Sequence, residues 1–271
     1  MKNTTSLELA NNVDTLASKV GTHSQFTRHA VPRPRKRNFN YIGRSRAAEH
    51  ERGRNQVLVI SGAIAAGRIA LNGSVEAGTS TVEKQALASM GQYLQIQRWR
   101  QSVGMRVAQI LLTSQDLATE SRRTEALSTI YQDMSWDTLP IVNENDSTTH
   151  EEITFGDNDG LTNKLAIRMQ EATIFGRMGV VFFIEKAGLL EDKDRASSRI
   201  KIVDDIDVIR ELVVEDEDDS NGGMGSKLDA TEGLLAAGIP VWFAPSFVAQ
   251  GLERTLAGEA GTLFVPEDIA A

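Results

Sequence analysis

An α/β fold on a mostly parallel central sheet is predicted by three features of this sequence. Continuous apolar runs rich in Val, Ile and Phe recur at residues 56–60, 107–112, 139–142, 179–184 and 239–243. Such runs suit strands covered on both faces. Helix-like patterns lie between them, and alternation of strand and helix predicts βαβ units with right-handed crossovers. Several runs also stop abruptly at polar or small residues, as parallel strands do where their carboxyl ends open onto a ligand.

Composition bounds the rest. The 271 residues are 41% hydrophobic and 24% charged, enough apolar matter for a large core. A net charge of −8 argues against a dedicated nucleic-acid binder. With no cysteine, disulfides, thiolate catalysis and thiolate zinc sites are excluded. His23, His29, His50 and His150 show no metal-ligand spacing. No apolar run reaches the ~18 residues of a membrane span, and the opening Met1-Lys2-Asn3-Thr4-Thr5 resembles no signal peptide, so a cytoplasmic protein is expected.

Taken in order, residues 1–18 are polar and weakly patterned, and Leu16-Ala17-Ser18 is a poor strand. Lys19-Val20-Gly21-Thr22 can set an ammonium and backbone N–H groups around phosphate oxygens, although alone it also fits a surface turn. From Arg28 to Arg54 nine Lys or Arg stand against two Glu. Pro32 and Pro34 bar a regular helix through the first part of this stretch. It is expected to be a solvated, poorly folded connection; a nucleic-acid patch with Phe39 and Tyr41 as stacking rings is the other reading.

The 56–60 strand runs into Ser61-Gly62-Ala63, whose small residues allow close backbone approach, to a ligand or to a packed helix. Residues 82–103 predict an amphipathic helix carried by Ala86, Leu87, Met90, Leu94, Ile96 and Trp99. Residues 107–112 predict a buried strand and 120–134 a helix. The 139–142 strand ends at Asn143-Glu144-Asn145-Asp146, and Gly156-Asp157-Asn158-Asp159 precedes a helix with Leu161, Leu165, Ala166 and Met169. Asn and Asp suit turns and N-caps; two such groups, at a strand end and a helix start, can also face one polar ligand.

The 179–184 strand leads to Ile184-Glu185. Residues 191–219 are charged and read as a solvated loop, with the acid run 215–219 at its end. Asn221-Gly222-Gly223-Met224-Gly225-Ser226-Lys227 then opens a helix through Leu228, Leu234 and Leu235. Glycines, a hydroxyl and a lysine at a helix start form a phosphate cradle, with a flexible loop as the alternative. It is not a Walker A loop, because Ser226 precedes the lysine and Leu228 follows it. Residues 239–243 predict a last inner strand and 261–265 an edge strand.

Ser61-Gly62-Ala63, Asn143-Glu144-Asn145-Asp146, Gly156-Asp157-Asn158-Asp159 and Gly222-Gly223-Met224-x-x-Lys227, in this order and at these separations, resemble the glutamate 5-kinases of the amino acid kinase family. The likeness runs from about Gln56 to Phe264. It implies a three-layer αβα sandwich forming one amino acid kinase domain over 1–271, divergent or poorly ordered in 1–54, without the RNA-modification-type domain some members carry. It also implies ATP-dependent phosphorylation of the L-glutamate side-chain carboxylate to L-glutamyl 5-phosphate, the first step of proline biosynthesis. By motif position Ser61, Asp146 and Asn158 would hold glutamate. Lys19, Ile184, Glu185 and residues Asn221, Gly222, Gly223, Met224, Gly225, Ser226 and Lys227 would hold ATP, with Lys19, Lys227 and Asp159 as the catalytic set. Magnesium, dimers or tetramers, and feedback inhibition by proline are implied likewise, and no protein-built metal site. Where the family has Thr-Asp after its nucleotide-site strand, this chain has Ile184-Glu185. A sister kinase with another substrate, or a catalytically weak glutamate- or proline-binding regulatory protein of the same fold, are the rival readings.

Overall fold

The computed structural model describes the chain except residues 1, 30, 72–79, 149–157, 192–197, 214–222 and 271. Helix α1 (Lys2–Asn11) leads into β1 (Thr15–Val20). Then come α2 (Thr22–Gln25), α3 (Lys36–Glu51), β2 (Asn55–Ile60), α4 (Ala63–Ala70), α5 (Thr81–Val103) and β3 (Arg106–Leu112). Next are α6 (Ser114–Ala118), α7 (Glu120–Ser135), β4 (Thr138–Glu144), α8 (Asp159–Glu171), β5 (Met178–Ile184), β6 (Ile202–Val203) and α9 (Ile206–Val213). Helix α10 (Met224–Ala236), β7 (Val241–Pro245), α11 (Gly251–Leu256), β8 (Thr262–Phe264) and α12 (Glu267–Ala270) complete the order.

The strands form one eight-stranded sheet in the order β3-β4-β2-β1-β5-β7-β8-β6. All pairings are parallel except β7 with β8. Alternate strand residues feed two separate cores. Ala17, Val59, Val142, Val180 and Phe243 pack with α7, α8, α9 and α10 on one face. Leu16, Leu58, Ile141, Val181 and Trp242 pack with α1, α3, α4, α5, α11 and α12 on the other. The result is the expected three-layer sandwich, held by the removal of roughly 1.5–3 kcal/mol worth of apolar surface per buried Val, Leu, Ile or Phe.

Four expectations change. The first 54 residues are not a loose connection: β1 lies at the middle of the sheet, pairs with both β2 and β5, and is buried throughout. The strand escaped the pattern because its polar side chains are satisfied from neighbouring elements. Thr15 Oγ1 donates to Phe175 O at 2.5 Å, and Arg46 of α3 donates to Ser18 Oγ. Helix α3 escaped because its buried face is polar (Asn38, Ser45, Arg46 and Glu49 beside Phe39 and Ile42), where an amphipathic helix would show an apolar stripe.

Second, the buried face of α5 is rotated from the expected one. Leu87, Ala88, Gly91, Gln92, Gln95 and Trp99 point inward, whereas Ala86 and Met90 are exposed. Third, β3 is an edge strand, and Arg106 and Gln109 lie open to solvent. Fourth, β8 is not the edge: β6 lies outside it, and with α9 it breaks up the presumed solvated stretch 191–219. A two-residue strand carries no readable period. The acid run 215–219 falls outside the described residues.

Helices α4 and α5 meet through glycine. A Cβ at Gly91 would stand 1.8 Å from Ala63 O, and one at Gly67 would stand 2.0 Å from Leu87 O. Both obstacles are backbone, so nothing can swing aside. Gly91→Ala should therefore destabilise by about 1–3 kcal/mol, outweighing the helix-propensity gain of about 1 kcal/mol. A lower denaturant midpoint at unchanged slope is the expected readout, and an unchanged or raised midpoint would contradict the close crossing.

Candidate active site

The carboxyl ends of β1, β2, β4 and β5 and the amino ends of α8 and α10 converge on one edge of the sheet. At their centre is Asp159, the first residue of α8 and 0% exposed. Its Oδ1 lies 2.5 Å from Lys19 Nζ, which rises from β1, and its Oδ2 lies 3.0 Å from Lys227 Nζ of α10. Ser226 Oγ donates to the same Oδ2 at 3.0 Å. Lys19 can point here because it shares strand parity with Ala17, on the face that α8 and α10 cover. Ammonium groups taken from water need paired charge, and one buried carboxylate supplies it to both. Gly21 lies below: a Cβ there would be 3.6 Å from Lys19 Nζ.

Gly223 is the N-cap of α10, and its carbonyl accepts from Ser226 Oγ at 3.2 Å and from Lys227 Nζ at 3.5 Å. The Lys227 side chain is thus turned back toward the start of its own helix, with Met224 and Gly225 in the first turn. Asn221 and Gly222, assigned to ATP from the motif, lie outside the described residues. So do Gly156 and Asp157.

The residue beside Asp159 serves the other half of the site. Asn158 occupies the N-cap of α8, yet its side chain caps nothing. Its Nδ2 donates instead to Ile60 O at the end of β2 and to Asn143 Oδ1 of β4 at 2.7 Å. Among the described residues, Asn158 Oδ1, Asn143 Nδ2 and Ser61 Oγ are buried without a hydrogen-bond partner. Buried polar atoms are nearly always paired, so one acceptor, one donor and one hydroxyl from three strand or helix ends define a polar ligand's place. Ser61 is set by Gly62, whose φ of +96° starts α4 in a left-handed turn. Asp146, just beyond β4, is 8% exposed, and burial pushes its carboxyl up to about 6 from an ordinary 3.8.

Ile184 and Glu185 contribute differently from expectation. The Ile184 side chain packs in the core and its carbonyl accepts from Ser246 N at 2.8 Å, so it offers a nucleotide no side-chain chemistry. Glu185 stays at the rim, paired with Arg35 at 3.3 Å. Gln25, Gln95 and Asn143 also form hydrogen bonds at this edge, and motif positions did not select them as site residues. Glutamine inside a helix carries no signal of its own; Asn143 was visible only as a member of the strand-end cluster.

Among the described residues no group of three or more His, Asp or Glu could hold a metal ion. Both Asp159 oxygens face lysine ammoniums. Neither oxygen is therefore placed to ligate a cation directly. No described helix is long and apolar enough to cross a membrane.

An edge with paired lysines, a helix start and a separate amide-lined polar pocket on a mostly parallel αβα sandwich defines a class: the chain has the amino acid kinase fold. Carbamate kinase from Giardia superposes with a TM-score of 0.64 at 15% identity, covering 94% of this chain and 99% of that one. UMP kinase from Bacillus anthracis gives 0.60 at 12% identity, covering 94% and 97%. Within that fold the sequence relatives are glutamate 5-kinases, in agreement with the motif resemblance. The Thermus thermophilus enzyme is 34% identical over 230 residues, 82% of this chain and 60% of its own length. That of Meiothermus ruber is 36% identical over 227 residues, 80% of this chain and 58% of its own. The chain thus spans about three fifths of the length of the curated relatives it matches. No family model matches it.

Asp146 makes the stability of the fold depend on pH. Its folded pKa of about 6 lies above the ordinary 3.8, so the folded chain binds the proton more tightly than the unfolded chain does. The charged carboxylate therefore costs stability above pH 6, and the cost disappears as pH falls toward 4. Asp146→Asn should raise the thermal midpoint at pH 8, by relieving at most about 3 kcal/mol, and leave it unchanged at pH 4. Equal midpoints at pH 8 would contradict a strained, buried carboxylate.

Proposed function

We propose that the chain is an ATP-dependent glutamate 5-kinase, transferring the γ-phosphoryl group of ATP to the side-chain carboxylate of L-glutamate. The supporting observation is the Asn158-Asp159 dipeptide. Asp159 gathers two lysines on one side, and the Asn158 amide ties the ends of β2 and β4 on the other. A cationic donor half and a polar acceptor half are thereby one residue apart. That a Giardia carbamate kinase of this fold was solved bound to AMP-PNP, and that the sequence relatives are named for glutamate phosphorylation, agree with this reading.

The chemistry suits the residues. A glutamate carboxylate is ionised at neutral pH, so no general base is required. What phosphoryl transfer needs is alignment and positive charge against a dispersed anionic transition state. Lys19 and Lys227 supply that charge, and Asp159 orients both ammonium groups between turnovers. The N–H groups of the first turn of α10 would meet phosphate oxygens. Magnesium, held on the phosphates, would supply further charge neutralisation. In the acceptor half the Asp146 carboxylate and the Asn158 Oδ1 acceptor suit the substrate ammonium, while the Asn143 Nδ2 donor and the Ser61 hydroxyl suit its α-carboxylate. A cytoplasmic homo-oligomer in proline biosynthesis, inhibited by proline, is the corresponding physiological reading.

Glutamate-dependent ADP release, with hydroxylamine trapping the acyl phosphate, tests the activity directly. Lys227→Ala should lower kcat roughly 10²–10³-fold, the scale of one lost transition-state donor, with a much smaller change in KM for glutamate. Unchanged turnover in that variant would remove α10 from the donor site.

A further inference from the structure

Gln25 closes α2 and is 1% exposed. Its Nε2 donates to Ser61 O at 2.7 Å and to Val20 O at 3.0 Å, with a longer bond to Gly21 O at 3.4 Å. Its Oε1 accepts from Gln95 Nε2 and Trp99 Nε1, both at 3.2 Å. Gln95, 0% exposed on α5, donates in addition to Ser61 O at 2.7 Å. The amide cannot turn over: donors face its oxygen and carbonyls face its nitrogen. One side chain thus spans the carboxyl ends of β1 and β2. The first carries Lys19 and Gly21, and the second carries Ser61. The Ser61 N–H completes the link by donating to Val20 O at 3.2 Å.

Resting on the kinase reading above, we propose that Gln25 is a positioning residue that fixes the spacing between the donor loop at Lys19–Gly21 and the acceptor loop at Ser61-Gly62. Among the described residues the backbone link between β1 and β2 ends with Ser61 N–H to Val20 O, one residue past the register at Val20 and Ile60. From Ser61 O onward the glutamine amides carry the link. In-line transfer is sensitive to this spacing, since a misplacement of about 1 Å can cost roughly 10²-fold in rate.

Gln25→Met keeps the length of the side chain and removes both donor and acceptor. In the ligand-free protein, hydrogen exchange of the Ser61 amide should accelerate roughly tenfold or more while α7 amides stay unchanged, as expected for a local opening. In turnover, kcat should fall roughly 10–100-fold. Both KM values should stay within about threefold, with ATP-binding stoichiometry equal to that of the parent chain, as a purely alignment defect requires. Unchanged exchange at Ser61, unchanged kcat, or a kcat loss matched by lost binding stoichiometry would each overturn the proposal. Should that variant fail to fold, Gln25→Glu carries the same test, because it keeps the volume and turns lone pairs toward the Ser61 and Val20 carbonyls. If the parent chain forms no ADP with glutamate, the kinase reading falls and the exchange measurement alone decides the role of Gln25.

Discussion

A lysine in the central strand of a buried sheet is costly unless something compensates its charge, and here Asp159 does so for Lys19 and Lys227 together. That shared carboxylate fixes much else. It requires α8 to begin at the carboxyl edge, beside β1, and α10 to lie alongside α8 so that Lys227 reaches the same group. It also holds the two ammonium groups against one buried carboxylate. The low local dielectric there strengthens each ion contact. In the proposed function, stability of the empty fold and affinity for a phosphoryl group rest on the same three side chains.

The acceptor half follows a different rule. Its groups are amides and hydroxyls, most of which bind each other or the ends of strands. Asn158 joins β2 to β4, and Gln25 with Gln95 joins β1 to β2. Each such amide has both donor and acceptor, so it can close a strand end and still present an atom to a ligand. The atoms left over, on Ser61, Asn143 and Asn158, are buried and without a partner among the described residues. Their cost is tolerable because the surrounding amides hold the backbone in place. Asp146 adds a buried carboxylate with an elevated pKa, a group that gains most from a cationic partner.

Legibility of the chain varied for physical reasons. Strands β2, β4, β5 and β7 were readable because both of their faces meet apolar helices, which demands unbroken apolar runs. The polar clusters after β2 and β4 and before α8 and α10 were readable because site chemistry replaces packing at those positions. β1 was not readable: Thr15, Ser18 and Lys19 look wrong for a central strand until Phe175 O, Arg46 and Asp159 are seen beside them. The same holds for α3, whose inward face is polar, and for α5, whose inward face is set by Gly91 and two glutamines. Most of these polar groups, such as Thr15, Ser45 and Lys19, are satisfied by a partner far along the chain, and no local pattern records that partner.

What the sequence by itself determined was the layer architecture and the residue types of the site, since periodicity and polar punctuation are local consequences of burial on a sheet. The tertiary structure alone decided that a polar, lysine-bearing segment is the middle strand. It also decided that one carboxylate serves two lysines, and that glutamines carry the hydrogen bonding past the point where the β1–β2 ladder stops. Those outcomes depend on distance in space between groups as far apart in sequence as 28 residues for Ser18 and Arg46 and 160 for Thr15 and Phe175, and pairwise satisfaction at that range leaves no trace in neighbouring residues.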